Sequence, residues 1–241
     1  MSRTESIEFD LEQADILHQL MADLLPGYDP PMSYHNWEVH ILRGLERIDE
    51  LEASGKATDV QNWFVVRAAY IGHDVFLTST KEDPSLLEGF GCAEELSAEK
   101  TSEMLRSYGV DEETVSQVHY AIMATNPNAP CETPEARAVC RADIGNIGDN
   151  FDEFFKNFVL VQLEDKRVDQ LIMNPLAVVR ASCEFLSMYM KRSTLSLGPE
   201  DDFPTRVEQN FASIRSMGAM ALRASIFRYL RHEDQEPGET T

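Results

Sequence analysis

The chain predicts an all-α protein, a helical bundle followed by a C-terminal helical extension. Two observations carry this. Apolar residues recur at the helical period nearly throughout, and breakers such as Pro26-Gly27, Ser54-Gly55 and Asn126-Pro127 cut those stretches into helix-sized pieces. One short run, Phe158-Val159-Leu160-Val161, could be a strand, but no partner strand is apparent. A sheet is therefore not expected.

Taken in order, Leu11, Leu17, Leu20, Leu24 and Leu25 form a first apolar stripe that stops before Pro26. After Pro30-Pro31 a second helix is predicted from about Tyr34 to Leu51, with Val39, Leu42, Leu45 and Ile48 on its face. A third carries Trp63, Phe64, Val66, Ala69 and Tyr70 and ends near His73-Asp74. Residues 77–91 are rich in breakers and lack periodicity, which predicts a long binding loop or a plain surface excursion. Helices then resume at roughly 92–107, 111–125 and 133–148. Beyond them come Phe151–Val168, a helix from Pro175 to about Lys191, and one long helix from Thr205 to Arg231. The division expected is a core over 1–150 and an extension over 151–241 packed on it, with a frayed tail from about 233.

The formal charge of the 241 residues is −21, and it is uneven. Residues 1–150 hold 10 Lys/Arg against 28 Asp/Glu, and residues 151–241 hold 11 against 14. Nucleic-acid binding depends on Lys and Arg neutralising phosphates, so a duplex partner is disfavoured, as is an anionic membrane surface. A small anionic substrate is still compatible, because a distant field is screened beyond about 8 Å at physiological salt. No apolar run approaches the roughly 20 residues needed to span a bilayer, and no signal-peptide core follows Met1–Glu5. Cys92, Cys131, Cys140 and Cys183 show no C-x-x-C spacing, so neither a disulfide framework nor a thiolate zinc site is indicated and a reduced, cytoplasmic setting is expected.

Four residues stand out for chemistry: His35, the adjacent His73 and Asp74, and Asp143. The central pair follows the apolar run Val65–Ile71, where charged groups are rarely buried without a partner. A metal is one such partner. Two imidazoles and two carboxylates make a nitrogen and oxygen ligand set that suits one divalent ion such as Mn, Fe, Co, Ni or Zn. Adjacent helical residues point about 100° apart, so His73 and Asp74 can both reach an ion over the helix edge. His40 follows His35 by five residues, about 140° around a regular α-helix, so the two should not face one ion easily.

The order of these residues resembles the HD superfamily of metal-dependent phosphohydrolases, and the local detail its small branch of predicted metal-dependent HD phosphohydrolases. The matching segments are Tyr34-His35-Asn36 with His40-Ile41, then His73-Asp74, Glu94-Glu95-Leu96-Ser97-Ala98, Ala124-Thr125, and Ala142-Asp143-Ile144 running to Gly148. The resemblance covers roughly residues 10 to 150. It implies an HD-type helical bundle binding one divalent metal through His35, His73, Asp74 and Asp143. It also implies hydrolysis of a small phosphomonoester, such as a nucleotide, by a metal-activated water. Catalysis would fall to Asp74 and Glu94, Glu94 assisting proton transfer with Glu95 as the competing choice. His40, by its place in the motif, is a candidate on the substrate side. Lys81, Arg67 and Arg141 are the cations nearest in sequence and candidate phosphate contacts.

Three positions depart from the pattern. Met32-Ser33 stand where a basic residue usually precedes Tyr-His, Ala93 where an Asn precedes the Glu, and Asn126 where a His follows Ala-Thr. Loss of that His argues against a second metal. The alternatives left open are other HD-type metal chemistry, an iron oxygenase or lyase, and a catalytically silent scaffold. Finally, Val207, Phe211, Ile214, Ile226, Phe227 and Leu230 make the last helix apolar on much of its surface, with Arg215, Arg223 and Arg228 beside them. Such a helix needs burial on more than one side, and a homodimer through the C-terminal helices is expected.

Overall fold

The computed structural model describes residues 3–28, 34–195, 197 and 201–233. Helices take most of the described residues and no strand occurs among them, as an all-α protein requires. The chain divides into two compact units. One comprises residues 1–145 with 189–198, the other residues 146–188 with 199–241.

The first unit is built around α3 (Trp63–Gly72), whose Phe64, Val65, Val66, Ala68, Ala69, Tyr70, Ile71 and Gly72 are all buried. A helix apolar on every side must be surrounded, and α1 (Arg3–Leu24), α2 (Arg43–Ala53), α5 (Ala93–Ser107), α6 (Glu112–Met123) and α7 (Pro134–Asp143) pack against it. Between α3 and α5 lies the short α4 (Leu77–Glu82). Polar caps set several starts: Asn62, Asp111 and Thr133 side chains accept from the backbone N–H of Val65, Thr114 and Ala136. Gly109, at φ 84°, takes the left-handed conformation that turns α5 into α6.

Three expectations for this unit change. The first stripe extends further back, α1 starting at Arg3, and a 3-10 turn Leu25–Tyr28 follows it. Residues 77–91 are not an open loop: α4 and a 3-10 turn Pro84–Leu87 occupy much of them, the turn being opened by Asp83, which accepts from Ser85 N–H. The helix expected from Tyr34 instead begins with a π-helical turn, Trp37–Leu42, before α2, and His35 lies in the bend ahead of it. Asn36 explains this start. Its carbonyl accepts from both His40 and Ile41 N–H at 3.1 and 3.3 Å, and its side chain accepts from Val39 N–H at 2.8 Å. The Ile41 bond spans five residues, which widens the turn by one.

Gly44 lets this segment approach α3. A Cβ there would stand 1.9 Å from the hydroxyl oxygen of Tyr70, which donates to the His40 carbonyl at 3.2 Å. Helix propensity alone favours Gly44→Ala by about 1 kcal/mol. Overpacking a core costs about 1–3 kcal/mol or more, and here the obstacle is a buried ring. Gly44→Ala should therefore lower the melting temperature, and an equal or higher value would show that Tyr70 can yield.

In the second unit, α8 (Phe151–Glu164), α9 (Val168–Met173), most of α10 (Pro175–Arg192), α11 (Phe203–Ser216) and α12 (Ala219–Glu233) enclose Phe154, Phe158, Leu160, Leu171, Val207, Phe211, Ile214, Leu222 and Ile226. The Phe158–Val161 run is helical, within α8. The single long helix expected from Thr205 to Arg231 is two helices, because Met217 is extended (ψ 132°) and Gly218 follows. Met220 and Phe227 stay exposed on α12. The tail from Asp234 lies outside the described residues.

Candidate metal centre

The end of α3 delivers His73 and Asp74 beside one another, as their position after the apolar run requires. His73 is buried, and its Nδ1 donates to the Tyr70 carbonyl at 2.7 Å. That bond fixes the ring and turns Nε2 inward, the outer-shell arrangement typical of a ligating histidine. From the π-helical turn comes His40, equally buried, with its Nε2 3.1 Å from that of His73. The Oδ2 of Asp74 lies 2.9 Å from His73 Nε2 and 3.3 Å from His40 Nε2. From the last turn of α7, Asp143 Oδ1 lies 3.5 and 3.4 Å from the same two nitrogens. One ligand atom from each residue thus falls within 4.8 Å of every other.

This group could hold a metal ion. Two imidazole nitrogens facing each other at hydrogen-bond distance need a hydrogen between them, and a metal ion could take its place between the two carboxylates. The metal-free charges follow. Burial disfavours a charged His73, but Asp74 and Asp143 outweigh it and push the imidazole well above its ordinary value. Burial likewise favours neutral acids, yet His73 and His40 hold both Asp74 and Asp143 well below the usual carboxylate range. A metal would take the place of the His73 proton, so binding would release it. Among the described residues the buried His40 Nδ1 meets no partner, so its ring is set by Nε2 and by Tyr34 and Tyr70, whose ring centres lie 5.0 and 5.8 Å away.

His35 and His40 therefore stand differently from expectation. His40, assigned to the substrate side, lies inside the group, while His35, assigned as a ligand, has its Nε2 4.0 Å from Asp74 Oδ2 and its ring centre 5.1 Å from that of His40. The 140° separation assumed a regular helix through both. The bend at residues 34–36 and the widened turn remove it, and both rings face the same place. His73, Asp74 and Asp143 come together as expected.

Asp143 is steadied from a segment that the sequence motif did not include. Tyr189 gives its hydroxyl to Asp143 Oδ2 (3.0 Å) and to the Thr125 carbonyl (2.8 Å). Arg192 lies over its ring, 5.3 Å from the centre, and donates to the carbonyls of Ala124 and Ala129. Nothing in the local sequence marks Tyr189, which is far from the rest in the chain. Outer-shell partners are typically worth about 10–100-fold in metal affinity. For a metal held by this group, Tyr189→Phe should weaken binding by about that factor in a calorimetric titration, whereas an unchanged affinity would make the tyrosine purely structural.

The remaining expected residues lie outside the group of four. Glu94 opens α5 and accepts from the Asn126 amide at 3.3 Å. Ser97, one turn on, is buried and accepts from Phe76 N–H at 3.4 Å, just after Asp74. Glu95 instead accepts from Gly91 N–H at 2.6 Å, which ties it to the segment before α5. Lys81 is exposed in the last turn of α4. Arg141 precedes Asp143 by two residues, about 200° around α7, so it does not share that face. Arg67 is ion-paired with Asp49 and Glu52. It lines a separate groove of about 1230 Å³ with Gln61, Trp63, Tyr120 and Glu135, and none of the four clustered residues lines it.

No protein-family model, curated protein or solved structure matches the chain. Among the described residues no helix is long and apolar enough to cross a membrane.

Proposed function

We propose that the protein is an HD-type, metal-dependent phosphohydrolase acting on a small phosphomonoester such as a nucleotide. The observation that supports this most is the convergence of His40 Nε2, His73 Nε2, Asp74 Oδ2 and Asp143 Oδ1, in the chain order of that superfamily's ligands. In this reading His40 supplies the early histidine and the four residues hold one divalent ion, Mn, Fe, Co, Ni or Zn. When bound, such an ion supplies a Lewis acid that lowers the pKa of water and steadies a phosphoryl oxygen.

The chain's own groups do the rest. His73 keeps Nε2 inward through its bond to Tyr70, and Tyr189 holds Asp143 in position. Glu94 takes the proton from the attacking water, oriented by Asn126 where the motif usually has histidine. His35 stands beside Asp74 and meets the substrate's phosphoryl group, with Lys81 of α4 as a candidate cation contact. Glu95, committed to Gly91, is the weaker choice for proton transfer.

The test is phosphate release from a panel of nucleoside monophosphates and simple phosphomonoesters, with each of the five ions supplied in turn. Turnover with at least one ion, absent without metal, is expected. No turnover with any of them would overturn the hydrolase reading. Oxygen consumption with Fe(II) would then favour iron-oxygenase chemistry at the same group.

A further inference from the structure

Cys131 and Cys140 have no motif spacing, yet the fold sets their Sγ atoms 3.6 Å apart. Cys131 is half-buried in the segment before α7, and Cys140 is buried within that helix. The Thr133 cap and Pro134 start α7 so that its second turn comes back beside Cys131. Disulfide sulfurs stand about 2.05 Å apart, so the pair must close by about 1.5 Å. Cys140 Sγ also donates to the Ala124 carbonyl at 3.2 Å, which holds it facing its partner.

The surroundings suit attack by one sulfur and resolution by the other. Cys140, then the Arg192 and Arg137 guanidinium groups, hold the Cys131 thiol below its ordinary value despite burial. Cys140 is pushed well above its own by Cys131 and by burial. The more exposed sulfur is thus the better nucleophile, and the buried one stands ready behind it.

We propose that Cys131 and Cys140 form a peroxide-sensitive dithiol that closes a reversible disulfide across the start of α7. The Cys131 thiolate attacks one oxygen of hydrogen peroxide and the O–O bond breaks. Hydroxide leaves, takes up the thiol's proton as water, and Cys131 becomes a sulfenic acid. The Cys140 sulfur then attacks the Cys131 sulfur, the S–O bond breaks, and the hydroxyl departs as water with the Cys140 proton. Two thiols lose two electrons and two protons, and one peroxide becomes two waters. A dithiol reductant reverses the change. Oxidation also removes the proton that Cys140 gives to Ala124, one helical turn before Asp143. The pairing itself does not depend on a metal at the neighbouring group.

Fully reduced full-length protein, folded and treated with hydrogen peroxide, provides the test. Trypsin cuts after Arg137, between the two cysteines, so the product is a cross-link between peptides 107–137 and 138–141 that dithiothreitol releases. In Cys140→Ser, Cys131 should stop at a sulfenic acid that dimedone traps, and in Cys131→Ser Cys140 should stay reduced. Both thiols still open to alkylation after unfolding, or cross-links to Cys92, Cys183 or another chain in place of this one, would overturn the proposal.

Discussion

Replacing His73 by alanine should leave the chain helical and unable to retain a divalent ion, with phosphomonoester turnover lost entirely. The imidazole sits at the centre of the group: its Nε2 is within 3.5 Å of His40, Asp74 and Asp143 alike. Without it, two carboxylates held well below their ordinary range keep only one imidazole between them. An incomplete shell loses geometry as well as a donor, so the effect should exceed the factor expected from Tyr189→Phe. Asp74→Asn is the matched control, since it keeps the side chain's shape and removes its charge. Metal content after exhaustive dialysis, read beside circular dichroism, checks both variants. Retention of one ion per chain by His73→Ala would exclude it as a ligand.

Glu94→Gln should lower turnover about 10²–10⁴-fold, the usual contribution of a general acid or base, while metal content stays unchanged. Gln keeps an oxygen for the Asn126 amide, so the local hydrogen bond survives and only proton transfer is removed. That separation of metal from rate distinguishes Glu94 from the four clustered residues. The paired variant is Glu95→Gln, expected to be near wild type because its carboxylate serves the Gly91 N–H. A slow Glu95→Gln beside a normal Glu94→Gln would exchange their roles.

The helices were legible because each packs an apolar stripe at a fixed period and ends at a breaker or cap. Trp63–Gly72 is the clearest case, being apolar on every side and lying at the centre of its unit. Glycine and proline were harder to weigh. Pro84, with Asp83 ahead of it, starts a 3-10 turn inside a stretch that otherwise reads as loop, whereas Gly218 ends a helix where the surrounding apolar pattern runs on.

In the candidate centre, His73, Asp74 and Asp143 could be read from chain position and ligand chemistry. The place of His40 within the group could not, because one widened turn changes the angular position of the residues around it while leaving the apolar pattern intact. The sequence signal is Asn36, whose side chain and carbonyl start a turn where the apolar pattern alone predicts a continuous helix. Tyr189 and the Cys131–Cys140 pair were invisible for another reason: each contact joins residues that no short motif spans.

The most direct test of the central claim is an anomalous difference map from crystals grown with Mn, Co or Zn. A single peak about 2.0–2.2 Å, for zinc, from His40 Nε2, His73 Nε2, Asp74 and Asp143, with the His35 ring outside the coordination shell, is the result expected. No peak among these four residues in metal-loaded protein, or an ion bound through His35 while His40 stands aside, would contradict it.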